Sequence, residues 1–117
     1  MSNEQIRQVI GRRVKHYRKM KSLTQRELAA EIGVNHSYIA NIEQGQKGIS
    51  LEKMLELCMW FNISLSDLLP INEQSNNEKE NMIKKIADSL RSWETEQVKL
   101  LEAMVLGTQC IHFQKNN

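Results

Sequence analysis

The titratable and nucleophilic side chains of this chain follow no catalytic or metal-binding pattern. His36 has no Cys or His three or four positions away that would share a metal ion with it. Cys110 and His112 form a single weak pair, and no spacing suggests a Cys–His or Ser–His–Asp group. Cys58 lies on an apolar stripe and is expected to pack as a small buried side chain. We therefore expect no enzyme activity, no metal ion and no cofactor.

Basic residues are concentrated in the first part of the chain. The 117 residues contain 16 Lys and Arg and 14 Asp and Glu, so the net charge is only +2. Residues 1–26, however, carry +7, and the remainder carries −5. The basic residues of this stretch are Arg7, Arg12, Arg13, Lys15, Arg18, Lys19, Lys21 and Arg26. Such a charge distribution indicates a partner that bears phosphates.

The composition favours a helical protein of the cytoplasm. Aromatic residues make up 5% of the chain and Pro70 is the single proline, which disfavours a β-sandwich or barrel with many turns. Two distant cysteines are too few for a secreted disulfide framework. No apolar run approaches the roughly 18 residues of a membrane helix, and the first ten residues lack the order of a signal peptide. These features predict a cytoplasmic, all-α protein.

Apolar periodicity and capping residues predict five short helices in residues 1–69. Apolar residues recur every three to four positions over about 3–20, which predicts an amphipathic helix. Four further helices begin at residues typical of helix N-caps, namely Thr24, Asn35, Ser50 and Ser64. Residues that typically end helices follow at Gly33, Gly45 and Pro70. Residues 1–69 are therefore expected to form one small helical domain.

A linker and a helical element follow this domain. Residues 70–78 lack apolar periodicity and are predicted to be a linker, and 114–117 are predicted to be a tail. One apolar stripe of residues 79–113 contains Met82, Ile83, Ile86, Ala87 and Leu90, and a second contains Val98, Leu101, Met104, Val105 and Thr108. We interpret these stripes as two helices joined by a short turn near Trp93. A single long helix with a phase shift is the alternative.

The segment QRELAAEIGVNHSYIANI, residues 25–42, has the pattern of two helices joined by a tight turn. Ala29 is small enough for two crossing helices to approach each other, and Gly33, four positions later, permits the turn. The apolar residues expected to fix the crossing are Leu28, Ile32, Val34, Ile39 and Ile42. Every position that the geometry constrains is satisfied, which predicts a helix-turn-helix.

The run from residue 6 to residue 69 resembles the phage repressor/Cro (Xre-type) family of DNA-binding transcription regulators. The motifs that carry the resemblance are, in order, Leu23-Thr24-Gln25, Glu27-Leu28-Ala29, Ile42-Glu43-x-Gly45 and Ser64-Leu65-Ser66-x-Leu68-Leu69. The resemblance implies a five-helix domain that binds a double-stranded DNA operator with its third helix in the major groove. The chain departs from the family at Met59 and Trp60, where an additional contact surface is expected.

The resemblance also implies roles for individual side chains. Positions that contact base edges in the family are matched by His36, Ser37 and Asn41, and asparagine is able to bind adenine through two hydrogen bonds. Phosphate contacts are expected from Gln25, Asn35, Tyr38 and Lys47. For Tyr38, packing on the domain surface is an equal alternative. A structural ion pair that joins the first helix to the end of the third is implied between Arg18 and Glu43.

A second copy of the chain is expected to pair through the C-terminal helices. One small domain on one half-site has little energy for specific binding, so two copies are expected on a two-fold operator. The apolar residues expected to form the dimer are Ile83, Ile86, Leu90, Trp93, Leu101, Met104 and Val105. The alternative is that these helices fold onto their own domain and leave a monomer.

These features predict a sequence-specific DNA-binding transcription regulator, and a homodimeric repressor is favoured. One alternative is the antitoxin of a toxin–antitoxin pair, whose C-terminal helices would bind the toxin. Another is an interaction module that has lost DNA binding and sequesters a related regulator. The polar residues around the predicted third helix disfavour this last alternative, because such a module is expected to lose them.

Overall fold

Helices account for all the regular structure of the residues that the computed structural model describes, which are 1–71, 75–91 and 93–106. In chain order they are α1 (Asn3–Met20), α2 (Gln25–Ile32), α3 (His36–Glu43), α4 (Leu51–Phe61), α5 (Leu65–Leu68), α6 (Asn76–Ser89) and α7 (Thr95–Leu106). No strand occurs in these ranges, and the predicted all-α class is confirmed. Within them, none of the helices is both long enough and apolar enough to span a membrane.

The N-terminal caps of α2 to α5 lie at the residues predicted from the sequence. Thr24 Oγ1 accepts a hydrogen bond from the Glu27 N–H at 3.0 Å, and the Glu27 carboxylate accepts one from the Thr24 N–H at 2.8 Å. This reciprocal pair satisfies two backbone donors that have no partner inside the helix. Asn35 and Ser50 cap α3 and α4, and both have the extended backbone conformation that Thr24 also has. Helices α2 to α5 therefore begin where local sequence signals place them.

The start of α6 differs from the prediction. The helix begins at Asn76, inside the segment predicted to be a linker, because Ser75 and Glu78 form a capping box at its N-terminus. The apolar stripe of this helix starts only at Met82, so periodicity alone places the helix start too late. The predictions for Thr108, Cys110, His112 and the tail 114–117 concern residues outside the described ranges.

The first five helices share one core, to which α1 contributes Ile6, Ile10 and Val14, each at most 1% exposed. Cys58 on α4 is buried in this core, as predicted. Burial, together with the nearby charge of Asp67, raises the pKa of its thiol to about 12. The thiol is therefore protonated at neutral pH and behaves as a small apolar side chain.

The two C-terminal helices form a hairpin, which confirms the two-helix interpretation over a single long helix. Helix α6 packs against α1, and α7 packs against α5 and α6. Ile83, Ile86 and Leu101 are fully buried and Leu90 is 8% exposed, and all four belong to the same core as the first five helices. These four side chains, expected at a dimer contact, are instead covered by their own chain, because the hairpin folds back onto the domain.

Candidate nucleic-acid interface

Helices α2 and α3 form the predicted helix-turn-helix. Gly33 ends α2 in the left-handed conformation, at φ 73° and ψ 34°, and the Val34 N–H donates to the Ala29 carbonyl at 2.9 Å. Leu28 and Ile39 are fully buried where the helices meet, and Ala29 is 2% exposed. The turn therefore holds α3 at the surface, with its apolar side fixed against α2 and α1.

Polar side chains occupy the solvent-facing side of α3. His36 and Ser37 are exposed and Asn41 is half-buried, whereas Ile39 and Ile42 are buried in the core. Asn41 follows Ser37 by four residues, so the two side chains lie on the same side of the helix. The structure thus places the three side chains expected to contact bases on one exposed surface, which we call the α3 face (His36, Ser37 and Asn41).

Asn35 orients the first turn of the α3 face. Its Oδ1 accepts hydrogen bonds from the Tyr38 N–H and from the Ser37 hydroxyl, both at 2.9 Å. Because the Ser37 proton is directed to Asn35, the Ser37 oxygen has its lone pairs free to accept a hydrogen bond. No acceptor among the described residues binds Asn35 Nδ2, so this amide is able to donate to a phosphate outside the helix.

A hydrogen-bonded network joins the core to the α3 face. Arg18 donates to the Glu43 carboxylate from Nε at 2.6 Å and from Nη2 at 3.1 Å, and the exposed fractions of these side chains are 9% and 3%. The predicted ion pair is therefore present and buried. Gln25 Nε2 donates to Glu43 Oε1 at 3.0 Å, and Gln25 Oε1 lies 3.0 Å from His36 Nε2. Gln25 connects the buried carboxylate to the exposed imidazole.

This network fixes which nitrogen of His36 carries the proton. The Glu43 carboxylate only accepts hydrogen bonds, so the Gln25 amide must direct its NH₂ group to Glu43 and its oxygen to His36. His36 Nε2 must then be the donor, which leaves Nδ1 as the ring nitrogen available to a partner. Gln25 Nε2 retains one further hydrogen, which is able to serve a phosphate. Sequence reasoning identified both residues but not the contact between them.

The phosphate residues predicted beyond α2 differ in their surroundings. Lys47 is exposed in the loop 44–50 between α3 and α4, as a phosphate contact requires. The phosphate contact expected of Tyr38 does not fit the structure. Its hydroxyl oxygen is buried without a partner among the described residues, and its ring packs against the core. Its hydroxyl is therefore closed to a phosphate in this structure, and packing, the alternative interpretation, describes this residue.

Three arginines of the basic N-terminal stretch form hydrogen bonds within the chain. Arg7 Nη1 donates to the Ser89 carbonyl of α6 at 2.9 Å, Arg13 donates to the Leu69 carbonyl, and Arg18 binds Glu43. The basic residues of this stretch that remain exposed are Arg12, Lys15, Lys19, Lys21 and Arg26. These exposed residues supply the positive potential that favours a phosphate-bearing partner.

Comparisons with known proteins agree with this geometry. A helix-turn-helix family (HTH_3) matches residues 14–68. The control protein C.BamHI of Bacillus amyloliquefaciens is 31% identical over 75 residues, which are 63% of this chain and 93% of that protein. The crystal structure of the restriction-modification controller protein C.AhdI of Aeromonas hydrophila is similar over 59% of this chain and 100% of its own, with 29% identity and a TM-score of 0.55.

An antitoxin is also among the relatives. The antitoxin PezA of Streptococcus pneumoniae is 31% identical over 68 residues, which are 58% of this chain but 43% of the antitoxin.

The fold and the α3 face define a DNA-binding regulator of the helix-turn-helix class. The chain belongs to the Xre-type helix-turn-helix family of transcription regulators.

Proposed function

We propose that this chain is a homodimeric repressor that binds a two-fold DNA operator. The observation that supports this most is the α3 face, where polar side chains stand exposed on a helix whose opposite side is locked into the core. A helix of this kind fits the major groove and presents its side chains to base edges. Such a regulator acts in the cytoplasm, where the DNA of a bacterium or phage is found.

The side chains of the interface divide into two groups by what they offer DNA. His36, Ser37 and Asn41 contact base edges: His36 offers Nδ1, the Ser37 oxygen accepts a hydrogen bond, and the Asn41 amide both donates and accepts. Phosphates are bound by Gln25, Asn35 and Lys47 through their side-chain nitrogens. The first group determines the sequence, and the second fixes the position of the protein on the duplex.

Two substitutions separate these roles. Asn41→Ala is expected to weaken binding to the preferred operator by about 1–3 kcal/mol while leaving random DNA unaffected. Lys47→Ala is expected to weaken both DNAs alike and to lower the slope of log affinity against log salt by about one for each bound chain. Binding titrations across a salt series, with an operator selected from random oligonucleotides by the wild-type protein, measure both effects. Equal losses on operator and random DNA for Asn41→Ala would contradict a base contact.

Dimerisation is proposed through the apolar side chains of the hairpin that their own chain leaves partly uncovered. Trp93, Met104 and Val105 are only half-buried, although they pack against the core on one side. In such a dimer the two α3 helices are expected to lie about one helical turn of DNA apart, roughly 10 bp, on a two-fold site. Met59 is 80% exposed and Trp60 36% exposed on α4, so the hairpin of the same chain does not cover the surface predicted there.

The hairpin interface predicts the behaviour of one pair of variants. Met104→Lys places a charge in the contact and is expected to convert a micromolar dimer into a monomer with weaker operator binding. Thr95→Lys adds the same side chain at an exposed position of the same helix and is expected to leave the dimer intact. Sedimentation equilibrium of the full chain distinguishes the two. A wild-type monomer, or a dimer that both variants preserve, would contradict this interface.

The antitoxin alternative is favoured by one observation, the similarity to PezA. The matched 58% of this chain is about the size of its DNA-binding domain, so the hairpin would be the part that engages a toxin. Co-purification with a small protein encoded beside the gene tests this alternative. DNA binding by the α3 face is common to both functions.

A further inference from the structure

The turn between α6 and α7 rests on the loop that carries Lys47. A Cβ atom on Gly48 would lie 2.9 Å from the Arg91 nitrogen and 2.9 Å from Leu90 backbone carbons, so a residue with a side chain does not fit here without a shift. Trp93 Nε1 donates to the Ile49 carbonyl at 3.3 Å. The hairpin corner, defined as Leu90, Arg91 and Trp93, is therefore held against the backbone of the α3–α4 loop.

Arg91 is the cation of the hairpin corner. Its side chain is exposed, and no carboxylate in the described part of the chain forms an ion pair with it. Its backbone nitrogen lies next to Gly48, the residue after Lys47. Arg91 also lines a groove whose other residues include Tyr38 and Ser50 and the charged residues Glu52, Lys53 and Glu94. Arg91 therefore lies beside both the loop that carries Lys47 and, through Tyr38, helix α3.

From this placement we infer that Arg91 is a further phosphate-binding residue, supplied to the DNA interface by the C-terminal hairpin. The inference rests on the proposed function, and it concerns a residue beyond the segment matched by the helix-turn-helix family, which ends at residue 68. A guanidinium binds phosphate oxygens through paired N–H donors. Contacts to phosphate carry no sequence information, so the hairpin increases affinity for all DNA and leaves the preferred sequence unchanged.

Acidic neighbours provide a test in the opposite direction. Glu52 and Glu94 are exposed and line the same groove as Arg91, and Glu94 is the one that follows the hairpin corner. If a phosphate occupies this groove, the Glu94 carboxylate repels it, so Glu94→Gln is expected to increase affinity for both operator and random DNA. A structural role of Arg91 alone gives no reason for such an increase.

The test measures DNA affinity of the full chain across a salt series. Arg91→Gln is expected to lower the slope of log affinity against log salt by about 0.9 for each bound chain, and Arg91→Lys to restore most of it. Lys85→Gln removes the same charge from an exposed position on α6 and is the matched control, expected to keep the wild-type slope. Circular dichroism and urea unfolding establish that all three variants are folded.

The outcomes separate this inference from the proposed function. If wild-type protein binds DNA with a salt-dependent affinity and Arg91→Gln has the same slope, the Arg91 contact is refuted and the proposed function stands. If Arg91→Gln and Lys85→Gln lower the slope equally, the effect belongs to net charge, and the contact is again refuted. If the wild-type protein does not bind DNA, both the proposed function and the contact are refuted.

Discussion

Replacing Arg18 by alanine is expected to lower the free energy of unfolding by about 3–5 kcal/mol. Arg18 contributes both hydrogen bonds of the ion pair to Glu43, whose side chain is only 3% exposed. Without the guanidinium, the carboxylate remains buried with Gln25 as its neutral donor. A buried charge that loses its counter-ion costs far more than the intact pair contributes. Urea unfolding of the full chain, followed by circular dichroism, measures the change.

Two controls define the source of the loss. Lys19→Ala removes an exposed cation from the next position of α1 and is expected to change the unfolding free energy by less than about 0.5 kcal/mol. Replacing Arg18 and Glu43 together by methionine removes both charges and is expected to recover most of the stability. A loss below about 1 kcal/mol for Arg18→Ala would mean that the carboxylate reaches water once its partner is gone.

The ion pair also connects stability to the DNA interface. Glu43 sets the orientation of the Gln25 amide, and Gln25 sets the protonated nitrogen of His36. Loss of Arg18 therefore frees a carboxylate two contacts away from the α3 face. Variants of Arg18 that remain folded are expected to bind the operator less selectively, although Arg18 itself is buried.

Features of the fold that depend on residues close together in the sequence could be predicted from the sequence. Thr24 and Glu27 identify the start of α2, because a capping box needs only residues three positions apart. Gly33 identifies the turn, because the left-handed conformation there favours a residue without a Cβ atom. The helix-turn-helix is built from such local signals, so its position and its polar face follow from residues 24–43.

Features that depend on distant packing could not be predicted in the same way. The apolar stripe of α6 shows that Ile83 and Ile86 need cover, but the stripe is the same whether a second chain or α1 provides it. Likewise, Arg7 and Arg13 have the same side chain as a DNA-contacting arginine, and only the fold shows that carbonyls of Ser89 and Leu69 accept their hydrogen bonds. The aromatic character of Tyr38 is equally compatible with packing and with phosphate.

Gly11 could be recognised from the sequence as a site of close helix packing, but the segment that packs against it could not. Glycine in the interior of a helix costs about 1 kcal/mol relative to alanine, so its presence in α1 indicates a close approach. In the structure, a Cβ atom on Gly11 would lie 2.3 Å from the Ile42 carbonyl oxygen and 2.8 Å from the Glu43 carbonyl oxygen. The backbone of α1 thus lies directly against the C-terminal end of α3.

Gly11→Ala is accordingly expected to destabilise the protein by about 3 kcal/mol, the upper end of overpacking effects, because the atoms it meets are backbone and do not rotate away. Gly33→Ala is the control: its Cβ meets nothing within 4 Å, so it costs only the roughly 1–2 kcal/mol of a left-handed alanine. Urea unfolding compares the two variants. Helix propensity alone makes the opposite prediction for Gly11→Ala, a gain of about 1 kcal/mol. The sign of the measured change therefore decides whether α1 and α3 approach as closely in solution as this packing requires.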